Sequence, residues 1–249
     1  ERESTMERYE IYKRDGRAFV GSPGGELELS YIVGIGRNYA KHAAERGADV
    51  PERPMVFVKG PRSVILDGDA IEIPACCADA STGGPAQVDY EAELAVVLGR
   101  DTKDVSESEA LGCVLGYCCA NDVSARWWQK HGSGGQFNRG KSFDTFCPLG
   151  PAVLPAGAAP DPDSLEVICR LNGETMQHGS TGDMVFSVRT LVSELSRGQT
   201  LPAGTVILTG TPEGVGAART PPVFLKDGDE VEVEIPGVGL LRNPVVGVG

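Results

Sequence analysis

Val88-Asp89-Tyr90-Glu91-Ala92-Glu93-Leu94-Ala95-Val96-Val97-Leu98 is an apolar run that carries two carboxylates at positions i and i+2. Its composition predicts a strand. Strand side chains alternate between faces, so Glu91 and Glu93 point the same way, with Cα atoms roughly 7 Å apart. Two like charges on one face of an apolar strand repel, and one must take up a proton unless a cation sits between them. A hard divalent metal resolves that conflict. The plainer alternative is the wet face of an antiparallel strand, which is how Val231-Glu232-Val233-Glu234-Ile235 reads.

A third carboxylate favours the metal. Asp122 closes the apolar run Gly116-Tyr117-Cys118-Cys119-Ala120-Asn121-Asp122, just before a helix-like segment that contains Arg126. An acid there is either the N-cap of that segment or a group at the mouth of a site. Glu91, Glu93 and Asp122 as monodentate ligands would leave about three positions open on an octahedral Mg²⁺ or Mn²⁺. A bidentate substrate and a water fill them.

At 249 residues with 41% hydrophobic content, the chain can bury a sizeable core. Its 33 glycines and 17 prolines lie scattered between strand-like runs, which favours many strands joined by tight turns over a low-complexity tract. A formal net charge of −12 argues against nucleic acid or an anionic membrane as partner, because both need a basic surface. Against that background Arg126, Lys130, Arg139 and Lys141 gather near the proposed metal segment, either as ordinary surface charge or as the local positive charge a small anionic substrate needs. Seven cysteines show no C-x-x-C spacing and read as reduced, mostly buried residues of an intracellular protein. No apolar run is long enough to span a membrane. No targeting segment is legible.

Along the chain, Asp15-Gly16 between 9–14 and 17–20 is a two-residue hairpin signal. A strand at 31–36, a helix over 38–47 ending at Gly47, a strand at 55–58 and a turn at Asp67-Gly68 follow. Ser106 and Glu109 have capping-box spacing before the apolar run 111–119. The stretch 131–136, His131-Gly132-Ser133-Gly134-Gly135-Gln136, reads as a surface loop or a lid. Strands at 165–171, 206–208 and 231–235 and a helix over 188–197 complete the set, with Asn172-Gly173 as a turn. Strands do not alternate with long helices, so the fold expected is α+β, dominated by β.

His42 and Glu45 lie one helical turn apart, where a carboxylate can orient an imidazole as a general base; a structural or solvated histidine is the alternative. Thr209-Gly210-Thr211-Pro212-Glu213-Gly214-Val215-Gly216 lacks the Gly-Lys-Ser/Thr of a P-loop, yet its backbone N–H groups and hydroxyls could bind a carboxylate; otherwise it is a tight turn.

Together, Gly36-Arg37-Asn38-Tyr39 with His42 and Glu45, Asp89-Tyr90-Glu91-Ala92-Glu93-Leu94, Asn121-Asp122-Val123-Ser124-Ala125-Arg126, Gly140-Lys141-Ser142-Phe143-Asp144-Thr145 and Leu208-Thr209-Gly210-Thr211-Pro212 resemble the fumarylacetoacetate hydrolase family over about residues 31–245. The segment 141–151 resembles its mitochondrial branch linked to oxaloacetate keto–enol tautomerisation. The resemblance implies a mixed β-sandwich roll with short helices, a small N-terminal hairpin appendage over 1–30 and a catalytic domain over 31–249. It also implies a homodimer and Mg²⁺ or Mn²⁺ on Glu91, Glu93 and Asp122. His42, Glu45 and Lys141 would be catalytic, while Arg37, Lys59, Arg126, Gln129 and Thr211 would contact substrate. Two departures stand out: Gly60 after Lys59, where a proline or aromatic residue is usual, and Trp127-Trp128 after Arg126, where an Asp commonly follows.

The reading is a Mg²⁺- or Mn²⁺-dependent enzyme that acts on small 2-oxo acids through an enolate stabilised at the metal, foremost an oxaloacetate tautomerase. Acylpyruvate or fumarylpyruvate C–C hydrolysis and oxaloacetate decarboxylation share that enolate and are the alternatives. A non-catalytic 2-oxo-acid or metal sensor, or a purely structural oligomer, is a different class of answer. By resemblance the compartment is the mitochondrial matrix, with the cytoplasm as the alternative.

Overall fold

Positive φ at two successive residues builds the first turn. In the computed structural model, which describes residues 8–77 and 86–247, Asp15 and Gly16 hold φ of 52° and 71° between the antiparallel strands Tyr9–Arg14 and Arg17–Ser22. This turn type matches the twist of the strands it joins. Residues 1–7 of the expected appendage lie outside the described residues. Asn172-Gly173, with φ of 52° and 80°, repeats the device between Glu166–Leu171 and Glu174–Ser180, the second of which the sequence reading did not name.

The larger sheet has ten strands. Its order is Gly25–Glu28, Arg17–Ser22, Tyr9–Arg14, Cys147–Pro155, Val114–Asn121, Ala92–Leu98, Val206–Leu208, Ile32–Gly36 and Met55–Lys59, with Val64–Ile65 beside Cys147–Pro155. A five-stranded sheet runs Glu174–Ser180, Glu166–Leu171, Glu230–Ile235, Gly239–Gly247, Ile71–Ile73. Most pairs are antiparallel, but Val206–Leu208 runs parallel to Ile32–Gly36. The fold is therefore α+β and β-dominated, a mixed roll whose longest helix, Val188–Ser196, has nine residues. Among the described residues no helix is long and apolar enough to cross a membrane.

Ala92–Leu98 lies between the two halves of the core. Ala92, Leu94, Val96 and Leu98 join the cluster that includes Val167, Val231 and Val233 of the smaller sheet, while Ala95 and Val97 join Ile11, Val20 and Val153 on the other side. Each such buried Leu or Val contributes about 1.5–3 kcal/mol. That apolar support offsets the cost of burying acids on the same strand. Glu230–Ile235, by contrast, buries only Val231, Val233 and Ile235; Glu232 pairs with Arg242 and Glu234 with Arg170 at the surface. The two Glu-x-Glu segments thus separate as the sequence suggested.

Most local signals hold. The capping box of Ser106 and Glu109 forms on Glu107–Ala110. All seven cysteines are free, six of them buried. The segment after Asp122 differs: it first pairs Ser124–Ala125 with Val88–Asp89, turns helical at Arg126 and widens into a π turn over Trp128–Gly132. His131 and Gly132, expected in a loop, belong to that turn. Such widened turns occur often where side chains must be re-aimed at a site.

Gly140, in the helix Asn138–Lys141, packs against this turn. A Cβ there would lie 2.5 Å from Gln129 N and 3.0 Å from Ala125 O, both backbone atoms with no freedom to retreat. Gly140→Ala should therefore lower stability by about 1–3 kcal/mol, measured as a shift of the urea midpoint at unchanged slope. An unchanged midpoint would show that the two segments separate freely.

Candidate active site

The ladder between Ala92–Leu98 and Val114–Asn121 sets Ala92 opposite Asn121 and Glu93 opposite Ala120. It continues past the strand end: Asp122 N donates to Glu91 O at 2.9 Å, and Glu91 N donates to Asn121 Oδ1 at 3.0 Å. Tyr90 and Glu91 themselves fall in a break between Val88–Asp89 and Ala92–Leu98. Simple strand alternation therefore begins only at Ala92, and the Asn121 clamp fixes Glu91. The three carboxylates still converge, with one oxygen from each of Glu91, Glu93 and Asp122 within 4.8 Å of the others.

Three buried cations answer these acids. Lys59 Nζ donates to Asp122 Oδ1 at 2.6 Å, and Lys141 Nζ donates to Asp122 Oδ2 at 2.5 Å and Glu91 Oε2 at 2.8 Å. Arg126 Nη1 donates to Glu91 Oε1 at 2.5 Å, while its Nε donates to Asp89 Oδ2 at 2.8 Å. Asp89 also accepts the backbone N–H groups of Tyr90, Gly216 and Ala217.

Glu93 is the acid without a cation of its own. Its Oε2 accepts the Gly210 N–H at 2.7 Å, but burial and the neighbouring charges of Asp122 and Glu91 push its carboxyl well above the usual range. Glu91 goes the other way: burial opposes its ionisation, and the charges of Lys141 and Arg126 outweigh burial. Lys141 is likewise kept protonated against burial by Asp122 and Glu91. Four acids against three cations leave one negative charge in surplus. Three hard oxygen donors with that surplus fit Mg²⁺ or Mn²⁺.

A cavity of about 160 Å³ adjoins this cluster. Glu91, Arg126, Gln129 and Lys141 line it beside Phe57 and Phe137, with Arg37, His42 and Thr211 also in the wall. Arg126 Nη1 lies 3.3 Å from Gln129 Oε1, which leaves the Gln129 amide N–H groups for a ligand. His42 Nδ1 lies 2.8 Å from Glu45 Oε1; since a carboxylate accepts, Nδ1 carries the hydrogen and Nε2 is the free nitrogen. Gly214 N holds the other Glu45 oxygen at 2.8 Å. Arg37 adopts φ of 57°, a conformation costly for a side chain with a Cβ and characteristic of constrained sites.

Three expectations change in detail. Lys59 belongs to the acid cluster and not to the cavity wall, and Gly60 after it donates its N–H to Ser142 Oγ. The Thr211 hydroxyl is committed, donating to Ala92 O and accepting from Gln177 Nε2. The loop 209–216 does bind carboxylates with its N–H groups, but they are the protein's own: Gly210 on Glu93, Gly214 on Glu45 and Gly216 on Asp89. Gly210 reaches its partner at φ of 99°, with Asn38 Cβ only 2.7 Å from where a side chain would start. Sequence reasoning gave no role to Asp89 or Arg46. Asp89 stands two residues before Glu91, and that repeat of the acid spacing was the available signal.

Fold and site define a β-roll protein with a buried three-carboxylate cluster beside a cationic cavity. The sequence model described as Fumarylacetoacetate (FAA) hydrolase C-terminal matches residues 31–246, and the chain belongs to the fumarylacetoacetate hydrolase family. It is 45% identical over 215 residues to "Oxaloacetate tautomerase fahd2, mitochondrial" of Xenopus laevis, covering 86% of this chain and 65% of that one. It is 44% identical over 216 residues to "Oxaloacetate tautomerase YisK" of Bacillus subtilis (strain 168), covering 86% and 69%. The chain thus spans about two thirds of the length of these relatives. The crystal structure of fumarylpyruvate hydrolase from Pseudomonas aeruginosa in complex with Mn²⁺ and pyruvate superposes with a TM-score of 0.81 at 28% identity, covering 95% of this chain and 99% of that one.

The charge arrangement separates two substitutions. Asp122→Ala should abolish Mg²⁺ and Mn²⁺ binding in calorimetry and also cost about 3–5 kcal/mol of stability, because it strands the buried Lys59 ammonium and takes one of the two acids of Lys141. Glu93→Gln should abolish binding as fully yet leave the metal-free protein as stable as wild type, since the amide oxygen can still accept from Gly210. Equal destabilisation by both would contradict this division of charge.

Proposed function

We propose that this chain is a divalent-cation-dependent enzyme of small 2-oxo acids, foremost an oxaloacetate keto–enol tautomerase. One observation carries the reading: the His42 ring of an oriented His–Glu pair, a buried protonated lysine and, through Glu91, a three-carboxylate cluster border one small cavity. The names of relatives at 44–45% identity support the choice of oxaloacetate. Glu91, Glu93 and Asp122 would hold Mg²⁺ or Mn²⁺. When bound, the ion would supply Lewis acidity toward the 2-oxo group.

The chain's own groups divide the remaining chemistry. Lys141, with two N–H groups committed to acids, has a third to donate to a substrate oxygen, and its protonated state makes it a donor rather than a base. The Gln129 amide is a second donor. His42 Nε2 would take the proton from C3 and deliver a proton to the 2-oxygen, and the reverse transfer would give the ketone, with Glu45 holding the ring and stabilising the imidazolium. Proton exchange between carbon and oxygen needs no water, and Phe57 and Phe137 help to keep water from the wall.

Acylpyruvate cleavage is the second reading, because the same His42–Glu45 pair could activate a water. A homodimer, a boundary between appendage and catalytic domain near residue 30, and a mitochondrial location like that named for the frog relative belong to the same proposal.

Ultraviolet assays of oxaloacetate enol-to-ketone conversion and of acetylpyruvate cleavage, each with Mg²⁺ and with EDTA, test it. Fast, metal-dependent tautomerisation with little cleavage is expected. Dominant cleavage would move the chain to the hydrolases, and full activity in EDTA would remove the metal. His42→Gln should lower kcat for tautomerisation by about 10²–10⁴-fold while metal binding persists.

A further inference from the structure

The basic side chains around the cavity fall into two groups. Lys59, Lys141 and Arg126 are buried, and each is ion-paired with Asp89, Glu91 or Asp122. Arg37 and Arg46 are different: each lines the cavity, is partly buried, and makes no ion pair or side-chain hydrogen bond among the described residues, and Arg46 is the one that directly follows the His42–Glu45 pair. Its backbone is fixed, since its N–H bonds the His42 and Ala43 carbonyls as the cap of Ala40–Glu45. The guanidinium is thus carried on the residue after Glu45, in the wall that also holds His42.

Energetically this is an unsettled position. Burial, and then the like charge of Arg126, disfavour the Arg46 cation, and the charges of Asp89, Glu91 and Glu45 compensate only in part. Lys130, exposed in the same wall, adds another cation and no acid. A partly desolvated guanidinium without a carboxylate gains most from an anionic ligand, and its planar fork suits a carboxylate. The inner cations are already neutralised by their own acids and have only single N–H groups to spare, such as the third of Lys141.

Resting on the function proposed above, we infer that Arg46 is a specificity-determining residue that takes the second, distal carboxylate of a dicarboxylic 2-oxo acid. The first carboxylate and the 2-oxo group lie against the Lys141, Arg126 and Gln129 side of the cavity. Substrates with an uncharged tail leave Arg46 unpaired and bind more weakly for that reason. Arg46, with Arg37 and Lys130 as further cations of the wall, thus separates oxaloacetate-like dianions from acylpyruvates with neutral tails.

The test uses the Mg²⁺-loaded protein and two probes: oxalate, which has no distal group, and 3,3-difluorooxaloacetate, which keeps the distal carboxylate but has no C3 hydrogen. In calorimetry, Arg46→Gln should weaken difluorooxaloacetate about 10-fold or more and leave oxalate within about 2-fold, while Arg46→Lys recovers part of the loss. In turnover, KM for oxaloacetate should rise with kcat nearly unchanged. Equal weakening of both probes, or of neither, overturns the assignment. Unchanged oxalate binding also reports that the variant is folded and metal-loaded. If wild-type protein binds difluorooxaloacetate through Arg46 but turns over no oxaloacetate, the distal-carboxylate assignment stands and the tautomerase reading falls; if it turns over oxaloacetate and Arg46→Gln changes neither KM nor binding, the reverse holds.

Discussion

Everything in this molecule is arranged around one electrostatic constraint: four buried acids, Asp89, Glu91, Glu93 and Asp122, are packed with only three buried cations, Lys59, Arg126 and Lys141. Burying unpaired charge is expensive, so the surplus must be answered by a proton or by an added cation. Without a metal, burial and the charges of Asp122 and Glu91 push Glu93 toward its protonated form. A divalent ion would turn the surplus negative charge into a positive one, and a cluster in that state favours an arriving anion. The acid count is therefore the origin of both the metal preference and the substrate charge.

The fold exists in the form that makes such a cluster tolerable. Ala92–Leu98 is covered by apolar side chains on both faces, and its neighbour Val114–Asn121 brings Asp122 to it from some thirty residues downstream. Lysines arrive from two other directions, Lys59 at the end of an edge strand and Lys141 on a helix that Gly140 lets approach the π turn. No segment contains the site. It is assembled by register.

What the sequence disclosed follows from that. Spacing within one segment was readable: the acids at 91 and 93, the turn residues at 15–16 and 172–173, the Ser106 cap, and the pairing of His42 with Glu45. Position at the end of an apolar run marked Asp122. What needed a second segment was not readable, such as the break at Tyr90-Glu91 that depends on Asn121, or the commitment of Thr211 to Ala92 and Gln177. The glycine-rich loop is the instructive case: its capacity to bind carboxylates was legible, whereas whose carboxylates it binds depends on the tertiary fold. Arg46 escaped notice because an isolated arginine after a helix has no local signature, and its place in the cavity wall without a carboxylate partner shows only in three dimensions.

That loop has a consequence for how such a site can change. Gly210, Gly214 and Gly216 tether a candidate metal ligand, the partner of the candidate base and the anchor of Arg126 to one short stretch of backbone. Lengthening it by a residue would disturb all three at once. The side chains of Arg46, Gln129 and Lys130, on the other part of the wall, receive no hydrogen bond from that loop among the described residues. New substrate preferences are therefore accessible by rewriting that wall while the loop stays fixed, a division between an inherited floor and a replaceable rim that would let one scaffold serve several chemistries.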